Sequence, residues 1–455
     1  MAFQKLVGTV AVDVASLAAA GPDVGAMGLP IPPAASDGSL INGQTAVNLA
    51  DGRVLLAGAL DPLFNVRDEC FILDPATGKI TQTGSLPAPG TSGTMVLHAA
   101  SGKVLYSGGF DVTFTLTKNA FLFDPATGKW TTVAQMGSKR GQHTLTDLGT
   151  GKILAAGGAN GVTAGTTTCE LFTVATGTWA ATGAMTGGRG EHFATKFIDG
   201  TVMVVGGHTA GFLALTTCEI YSPGPGTWAG TGALNEARTS FFGAKYADDT
   251  VLVAGGLDAA TAQKKSAETY DFGTGTWTLV ASMNHTRVAN GGQNSQSENI
   301  MLADGRPMVV DMPGTFAEQP PVSCEVYNIT NDEWKETQFN LPFYLAQPTL
   351  LPMANGNMLV LPQNLNPSGD SVADTLQIGP ARYGQLELAH GLEDFNGNGL
   401  VPTDVAMQWA TDPCDDARVS FVSADTVHFT LGVSGVINGA VGNVRVWRNH
   451  SGQEL

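Results

Sequence analysis

The sequence predicts an all-β fold: a seven-bladed β-propeller followed by a small C-terminal β-sandwich-like module, which an N-terminal strand is placed to complete. Three observations carry this expectation. The composition, with 58 glycines, 14% charged and 43% hydrophobic residues, describes an ordered, turn-rich chain without long helices. A mostly apolar run, often closed by Gly-Gly, recurs at residues 54–59, 104–109, 153–158, 202–207 and 251–256, with degenerate copies at 308–311 and 358–362. Independently, a large residue after a turn recurs as Ile80, Trp130, Trp179, Trp228, Trp277, Trp334 and Tyr383. Both markers count seven. The second steps by 50 residues (130 − 80), then by 49 three times, by 57 (334 − 277) and by 49 again (383 − 334). A period near 50 holding four short strands is that of propeller blades, each too small to bury its own apolar face and stabilised by stacking on its neighbours.

Taken in order, residues 1–44 form an N-terminal extension, in which the alternation at 9–14 predicts one strand before a Gly/Pro-rich connector through Pro30, Pro32 and Pro33. Residues 45–389 hold the blades. One period reads as strands at 193–197, 202–205, 219–221 and 227–230, with turns at Asp199-Gly200 and 223–226. The second strand is nearly all apolar because neighbouring blades cover both its faces. Every blade can be built from consecutive chain, so the ring closes by packing of blade 1 on blade 7 or by an added strand from 9–14. Repeat six carries eight additional residues (57 − 49) around 288–299, a polar stretch that reads equally as a functional loop or a tolerated insertion. Residues 390–455 offer strands at 419–422, 427–433 and 444–447; so short a module would borrow residues 7–14 from the N-terminus.

Charge excludes some partners. With 23 basic against 40 acidic residues the net charge is −17, which opposes a phosphate backbone and anionic lipid, so nucleic acid is not an expected partner. No apolar run approaches the ~18 residues of a membrane span, and the N-terminus lacks the charged start and unbroken apolar core of a secretory signal. Cys70, Cys169, Cys218, Cys324 and Cys414 are odd in number, and the first four sit at equivalent places in separate repeats, which reads as buried thiols rather than a disulfide framework.

The repeat motifs are specific. Asp51-Gly52-Arg53-Val54-Leu55-Leu56, then Phe123-Asp124-Pro125-Ala126-Thr127-Gly128-Lys129-Trp130, then Met136 with Arg140, follow the order of the Kelch repeat, and the chain resembles that family from about Ala46 to Leu388. The resemblance implies a Kelch-type propeller and little about function, because such propellers serve unrelated roles. Its enzymatic branch, the secreted oxidases related to galactose oxidase, implies a copper-radical site with a Tyr-His pair. None of Tyr106, Tyr221, Tyr246, Tyr270, Tyr327, Tyr344 and Tyr383 is followed by His, so the architecture is expected without that chemistry.

Two sets of residues stand out as candidate sites. Arg140, Arg189, Arg238 and Arg287 recur at 49-residue intervals in the loops leading into blades, forming an arc that suits a carboxylate or sulfated sugar through bidentate contacts. The alternative pairs each with a repeat carboxylate, Glu170, Glu219, Glu268 or Glu325. Asp394, Asn396, Asn398 and Asp404 lie in a loop resembling the calcium loops of dockerin and EF-hand type, with oxygen ligands at positions 1, 3 and 5 and Gly399 at 6; the departure is Val405 at position 12. The alternative is an Asn-Gly turn into a short helix over 403–409. His143 and His192 open the first strands of their blades and read as inter-blade core residues. Together these features imply a non-enzymatic structural or binding protein. It would be anchored by protein partners through residues 1–44 and 390–455 in a virion, tail or surface filament after cytoplasmic synthesis. The alternative is a free-standing glycan-binding or adhesion protein.

Overall fold

The computed structural model describes residues 45–60, 65–74, 79–160, 165–289, 301, 305–310 and 324–336, and outside these only the backbone of separate strands. The fold is all-β, a Kelch-type propeller of seven blade sheets, here numbered in chain order with strands a to d. Blade 1 is Thr45–Asn48, Val54–Ala57, Phe71–Asp74 and Lys79–Gln82. Blade 2 is Thr94–His98, Lys103–Ser107, Ala120–Asp124 and Lys129–Thr132. Blade 3 is Thr144–Asp147, Lys152–Ala156, Cys169–Thr173 and Thr178–Ala181. Blade 4 is Phe193–Lys196, Val202–Val205, Cys218–Ser222 and Thr227–Gly230. Blade 5 is Phe242–Lys245, Val251–Ala254, Ala267–Asp271 and Thr276–Val280. Blade 6 shows strands b to d at Met308–Val310, Cys324–Asn328 and Glu333–Glu336. Blade 7 begins with Ala346–Pro352 and Met358–Gln363.

The a strands pack side by side around the ring in the order of blades 7, 1, 2, 3, 4 and 5, so blade 7 does meet blade 1. The seventh sheet continues through Thr375–Ala381 to Asp23–Leu29, so its fourth strand comes from the N-terminal extension. This corrects two expectations: blade 7 is not consecutive chain, and the added strand is 23–29, not 9–14. Val10–Asp13 instead pairs antiparallel with Gln385–Leu388, which also pairs with His428–Phe429. A β module shared between N- and C-terminal strands is therefore present. By packing, the chain divides into Gly28–Trp334 with Leu341–Gln377, and Met1–Met27 with Lys335–Asn340 and Ile378–Leu455. Val405–Ala406 and Gln408–Ala410 are extended, so the short helix read over 403–409 does not form. The loop around 290–299 and Cys414 lie outside the described residues.

Local chemistry explains the blade. Strand b is buried along its whole length, as in Val202–Val205 and Val251–Ala254, because it lies between neighbouring blades. Strand d is the outer strand, and Thr178–Ala181 is mostly exposed. The turn from c to d is fixed in blade 2 by Asp124, whose Oδ1 accepts from Ala126 N at 3.0 Å while its carbonyl accepts from Gly128 N at 2.9 Å. The Trp of strand d locks blades together: Trp228 Nε1 donates to Gly183 O at 3.0 Å and Trp277 Nε1 to Gly232 O at 3.1 Å, each carbonyl lying in the link from the preceding blade. Gly-Gly ends strand b because the chain must cross close to the link: Gly207 has φ 86°, and a Cβ there would stand 2.5 Å from Gly190 O.

Candidate functional site

The four recurring arginines lie inside the blades. Arg140, Arg189, Arg238 and Arg287 are completely buried. Arg189 is representative: Nη1 donates to Gly206 O at 2.9 Å and Thr217 O at 2.7 Å, and Nη2 donates to Thr217 Oγ1 at 3.1 Å and Glu219 Oε1 at 3.0 Å. Glu219 in turn accepts from the backbone N–H of Thr186 and Gly187 in the link before the blade, at 2.7 and 3.1 Å. The same clasp joins Arg140 to Glu170 and Arg238 to Glu268, and Arg287 holds Glu325 Oε1 through Nε and Nη2 at 2.9 and 2.8 Å. Desolvation lowers the Arg189 pKa, opposed by Glu219, whose own pKa is lowered by the backbone donors and the guanidinium despite its burial. The clasps fasten each link to strands b and c of the blade it enters, and leave no arginine surface for a carboxylate or sulfated ligand. The repeat itself shows the pairing, because blade 2 replaces both members together, with Gly90 and Phe121 at the two positions.

The other recurring reactive groups are also absorbed into packing. His143 Nε2 lies 3.0 Å from Ser107 Oγ and His192 Nε2 lies 3.1 Å from Thr144 Oγ1, each joining a blade to the one before. Desolvation pushes the His143 pKa down to about 3 and that of His192 well below its ordinary value, so both are neutral. Cys70, Cys169, Cys218 and Cys324 are buried thiols outside any disulfide, and burial pushes the Cys70 thiol up to about 12. Tyr221 and Tyr270 share hydrogen bonds with Thr182 and Thr231 at 2.7 and 2.6 Å, and Tyr327 donates to Asp332 at 2.9 Å. Among the described residues no group of three or more His, Cys, Asp or Glu side chains could hold a metal. Asp394, Asn396, Asn398 and Asp404 lie outside the described residues.

What remains lies at one end of the ring. Because strands alternate direction, each b–c loop and each link into a following blade emerge at the same end. Bridges join them at Thr91 with Phe110, Gly141 with Ala159, Gly190 with His208 and Thr239 with Leu257. The b–c loops of blades 2 and 4 hold Phe114 and Phe212 in the left-handed region, at φ 55° and 58°, where a large side chain is uncommon. Both rings are exposed, as are the neighbouring Val112 and Leu213.

At the same end, Ser92, Gln142, Glu191 and Ser240 occupy one position in blades 2 to 5, all left-handed at φ between 49° and 57°. Glu191 gathers its neighbours: Oε1 accepts from Gln142 Nε2 at 2.5 Å, and Oε2 accepts from Ser240 Oγ at 2.5 Å and Thr239 Oγ1 at 3.4 Å. His208 Nε2 stands 4.0 Å from Glu191 Oε1. Desolvation raises the Glu191 pKa, opposed by these hydroxyl and amide donors and by His208. A carboxylate perturbed by burial at the loop-bearing end of a propeller is a functional-site candidate. Sequence reasoning did not single out Glu191; the available signal was a change of residue type at one repeat position, Ser, Gln, Glu, Ser and Ala at 92, 142, 191, 240 and 289.

Comparison with known proteins agrees with the architecture. The Kelch motif matches residues 238–284, one link and blade from Arg238 to Asn284. A fungal alcohol oxidase of the AA5 family, solved in complex with copper, is similar over 90% of this chain and 93% of its own, at 15% identity and a TM-score of 0.60. The structure of YjhT is similar over 52% of this chain and 83% of its own, at 13% identity and a TM-score of 0.43. No curated protein sequence matches the chain. At such identity the likeness to the oxidase is one of fold. Among the described residues Tyr221 and Tyr270 are committed to inter-blade bonds and Tyr327 to its own turn, while Tyr344 and Tyr383 lie outside those residues.

Proposed function

We propose that the protein is a non-enzymatic binding scaffold, a propeller anchored through residues 1–44 and 390–455 in a larger extracellular assembly such as a virion, tail or surface filament. The observation that carries this reading is the contrast between the blades' interior and their loop-bearing end. Every recurring Arg–Glu pair is closed inside a blade, whereas Val112, Phe114, Phe212 and Leu213 stand exposed on loops. Exposed apolar side chains on loops fixed by a rigid scaffold suit recognition of a partner. Sedimentation of native material tests the assembly: large particles containing the chain are expected, and a stable free monomer would overturn it. The exposed Phe114 and Phe212 rings also favour a second reading, a surface glycan whose sugar faces stack on them. Glycan-array binding that vanishes in Phe114→Ala and Phe212→Ala supports that reading, and an empty array removes it.

A further inference from the structure

The Glu191 cluster has an uneven balance of donors and acceptors. Its position is set by the links into blades 3, 4 and 5: Glu191 N donates to Gln142 O at 3.2 Å, and the link into blade 5 is held in turn where Ala289 N, in the next link, donates to Ser240 O at 2.8 Å. Gln142, Ser240 and Thr239 spend donors on the carboxylate. His208 Nδ1 lies 3.0 Å from Thr209 O; a carbonyl can only accept, so Nδ1 carries a hydrogen, and in the neutral form of the ring Nε2 is left with a lone pair. That Nε2 is buried and has no hydrogen-bond partner, and the whole residue is only 1% exposed. In the neutral form two acceptors, one of them a carboxylate oxygen, face each other 4.0 Å apart, too far for a direct hydrogen bond.

A ligand that relieves this must carry at least two hydrogens on one atom. An atom about 2.8 Å from each acceptor closes a triangle over that gap with an apex of about 90°, within reach of two N–H bonds of an ammonium. A hydroxyl, with one hydrogen, satisfies only one side. Charge selects the cation: the site contains a carboxylate on a chain of net charge −17, and among the described residues no Lys or Arg nitrogen pairs with Glu191. Phe212, 4.7 Å from the His208 ring between centroids and 44% exposed, offers a π face beside it. We propose that Glu191 and His208, framed by Gln142, Ser240 and Phe212, form a binding site for a primary ammonium group. This rests on the reading of the loop-bearing end as the recognition face and names the chemistry it selects.

The test is saturation-transfer NMR on the full chain with two probes, Nα-acetyl-lysine methylamide and glucosamine, each beside its amine-acetylated counterpart. The free amines are expected to bind and the acetylated forms not; which probe binds more tightly tells whether the amine comes from a protein side chain or an amino sugar. Glu191→Ser and His208→Phe should each weaken binding at least tenfold. Both variants install residues the repeat already carries at those positions, Ser92 or Ser240 and Phe110, so the blade should fold, and thermal melts check that it does. Equal binding of the acetylated probes would overturn the site without recourse to any variant, and so would unchanged binding in both variants. An ordered water bridging Glu191 and His208 that neither amine displaces would do the same. A free monomer that still binds amines removes the assembly and leaves this site; an assembly with no amine binding removes only the site.

Discussion

In blade 5 the clasp is fully closed, with neither Arg238 nor Glu268 exposed and Nη2 2.7 Å from Oε1. Glu268 also accepts from Asn235 N at 2.7 Å, Asn235 Nδ2 at 2.9 Å and Glu236 N at 3.1 Å. Changing Glu268→Ala leaves a buried guanidinium without its partner, which costs about 3–5 kcal/mol, and the freed N–H groups share in the same desolvation rather than adding to it. Glu236 stands 4.0 Å from the same nitrogen, partly exposed and held by Lys264 at 3.0 Å, so it takes up some of the lost charge. The expected loss is therefore at the lower end, about 3 kcal/mol. Denaturant unfolding followed by Trp fluorescence measures it, and faster amide exchange at Asn235 and Glu236 localises it. Blade 2 offers the control, since Gly90, Tyr106 and Phe121 stand there in place of Arg238, Val253 and Glu268. The triple variant Arg238→Gly, Val253→Tyr, Glu268→Phe should recover at least about 1 kcal/mol relative to Glu268→Ala, because it removes the charge along with its partner. A loss below about 1 kcal/mol for the single variant, the range of an exposed pair, or a triple variant worse than the single, would refute the argument.

Two glycines separate conformation from contact. Gly200 and Gly207 share φ 86°, but a Cβ on Gly200 meets nothing within 4 Å whereas one on Gly207 meets Gly190 O at 2.5 Å. Gly200→Ala should cost about 1 kcal/mol in an unfolding titration and Gly207→Ala about 2–4 kcal/mol. Acid should destabilise the fold through His143: below pH 6.5 the unfolded ring binds a proton that the native ring refuses until pH about 3, so stability falls as pH drops across that window. His143→Phe, the residue at the equivalent Phe241, should flatten that slope in melts run from pH 7 to 4. Glu191 acts in the opposite sense: its pKa is raised, so its contribution to stability falls as pH rises from 4.5 toward the raised value, and Glu191→Ser should remove that component of the pH profile. For the loop of Asp394, Asn396, Asn398 and Asp404, millimolar calcium should raise Tm and Asp394→Ala should abolish the rise; no shift in the native chain ends the idea.

The blades were legible because their marks are local: a Gly where a Cβ would collide, an Asp that caps its own turn, a Trp whose N–H reaches the preceding link. The closing strand was not. Asp23–Leu29 contains two glycines and no clean alternation, so nothing in its own sequence favours a strand. Its place in the seventh sheet is a tertiary matter, an open edge with unpaired N–H and C=O groups that a passing segment can satisfy. The spacing of the arginines left two readings open, a ligand-facing arc and the pairing with the repeat glutamates that the structure shows, because a loop has no periodic face. The pairing could have been read from Ile41 with Phe71 and Gly90 with Phe121, the positions in blades 1 and 2 where arginine and glutamate vanish together.

That contrast gives a rule for where this chain keeps its specificity. A residue that recurs in register at 49-residue steps makes the same kind of contact in each blade, and a contact closed inside one blade is out of a ligand's reach: the Nη atoms of Arg140, Arg189 and Arg238 donate to carbonyls, a hydroxyl and a carboxylate of the blade each enters, and all four arginines are completely buried. A position that holds its backbone while changing its side chain behaves differently. Ser92, Gln142, Glu191 and Ser240 keep one left-handed conformation, so the scaffold pays the same conformational cost at each, yet only at Glu191 do neighbours from both adjacent blades converge on a charge. Moving the charge one blade on tests this. The exchange Glu191→Ser with Ser240→Glu keeps composition and backbone, but in place of His208 the next loop offers Leu257. Amine binding should be lost although the carboxylate remains; if it persists, the acceptor pair is not what selects the ligand.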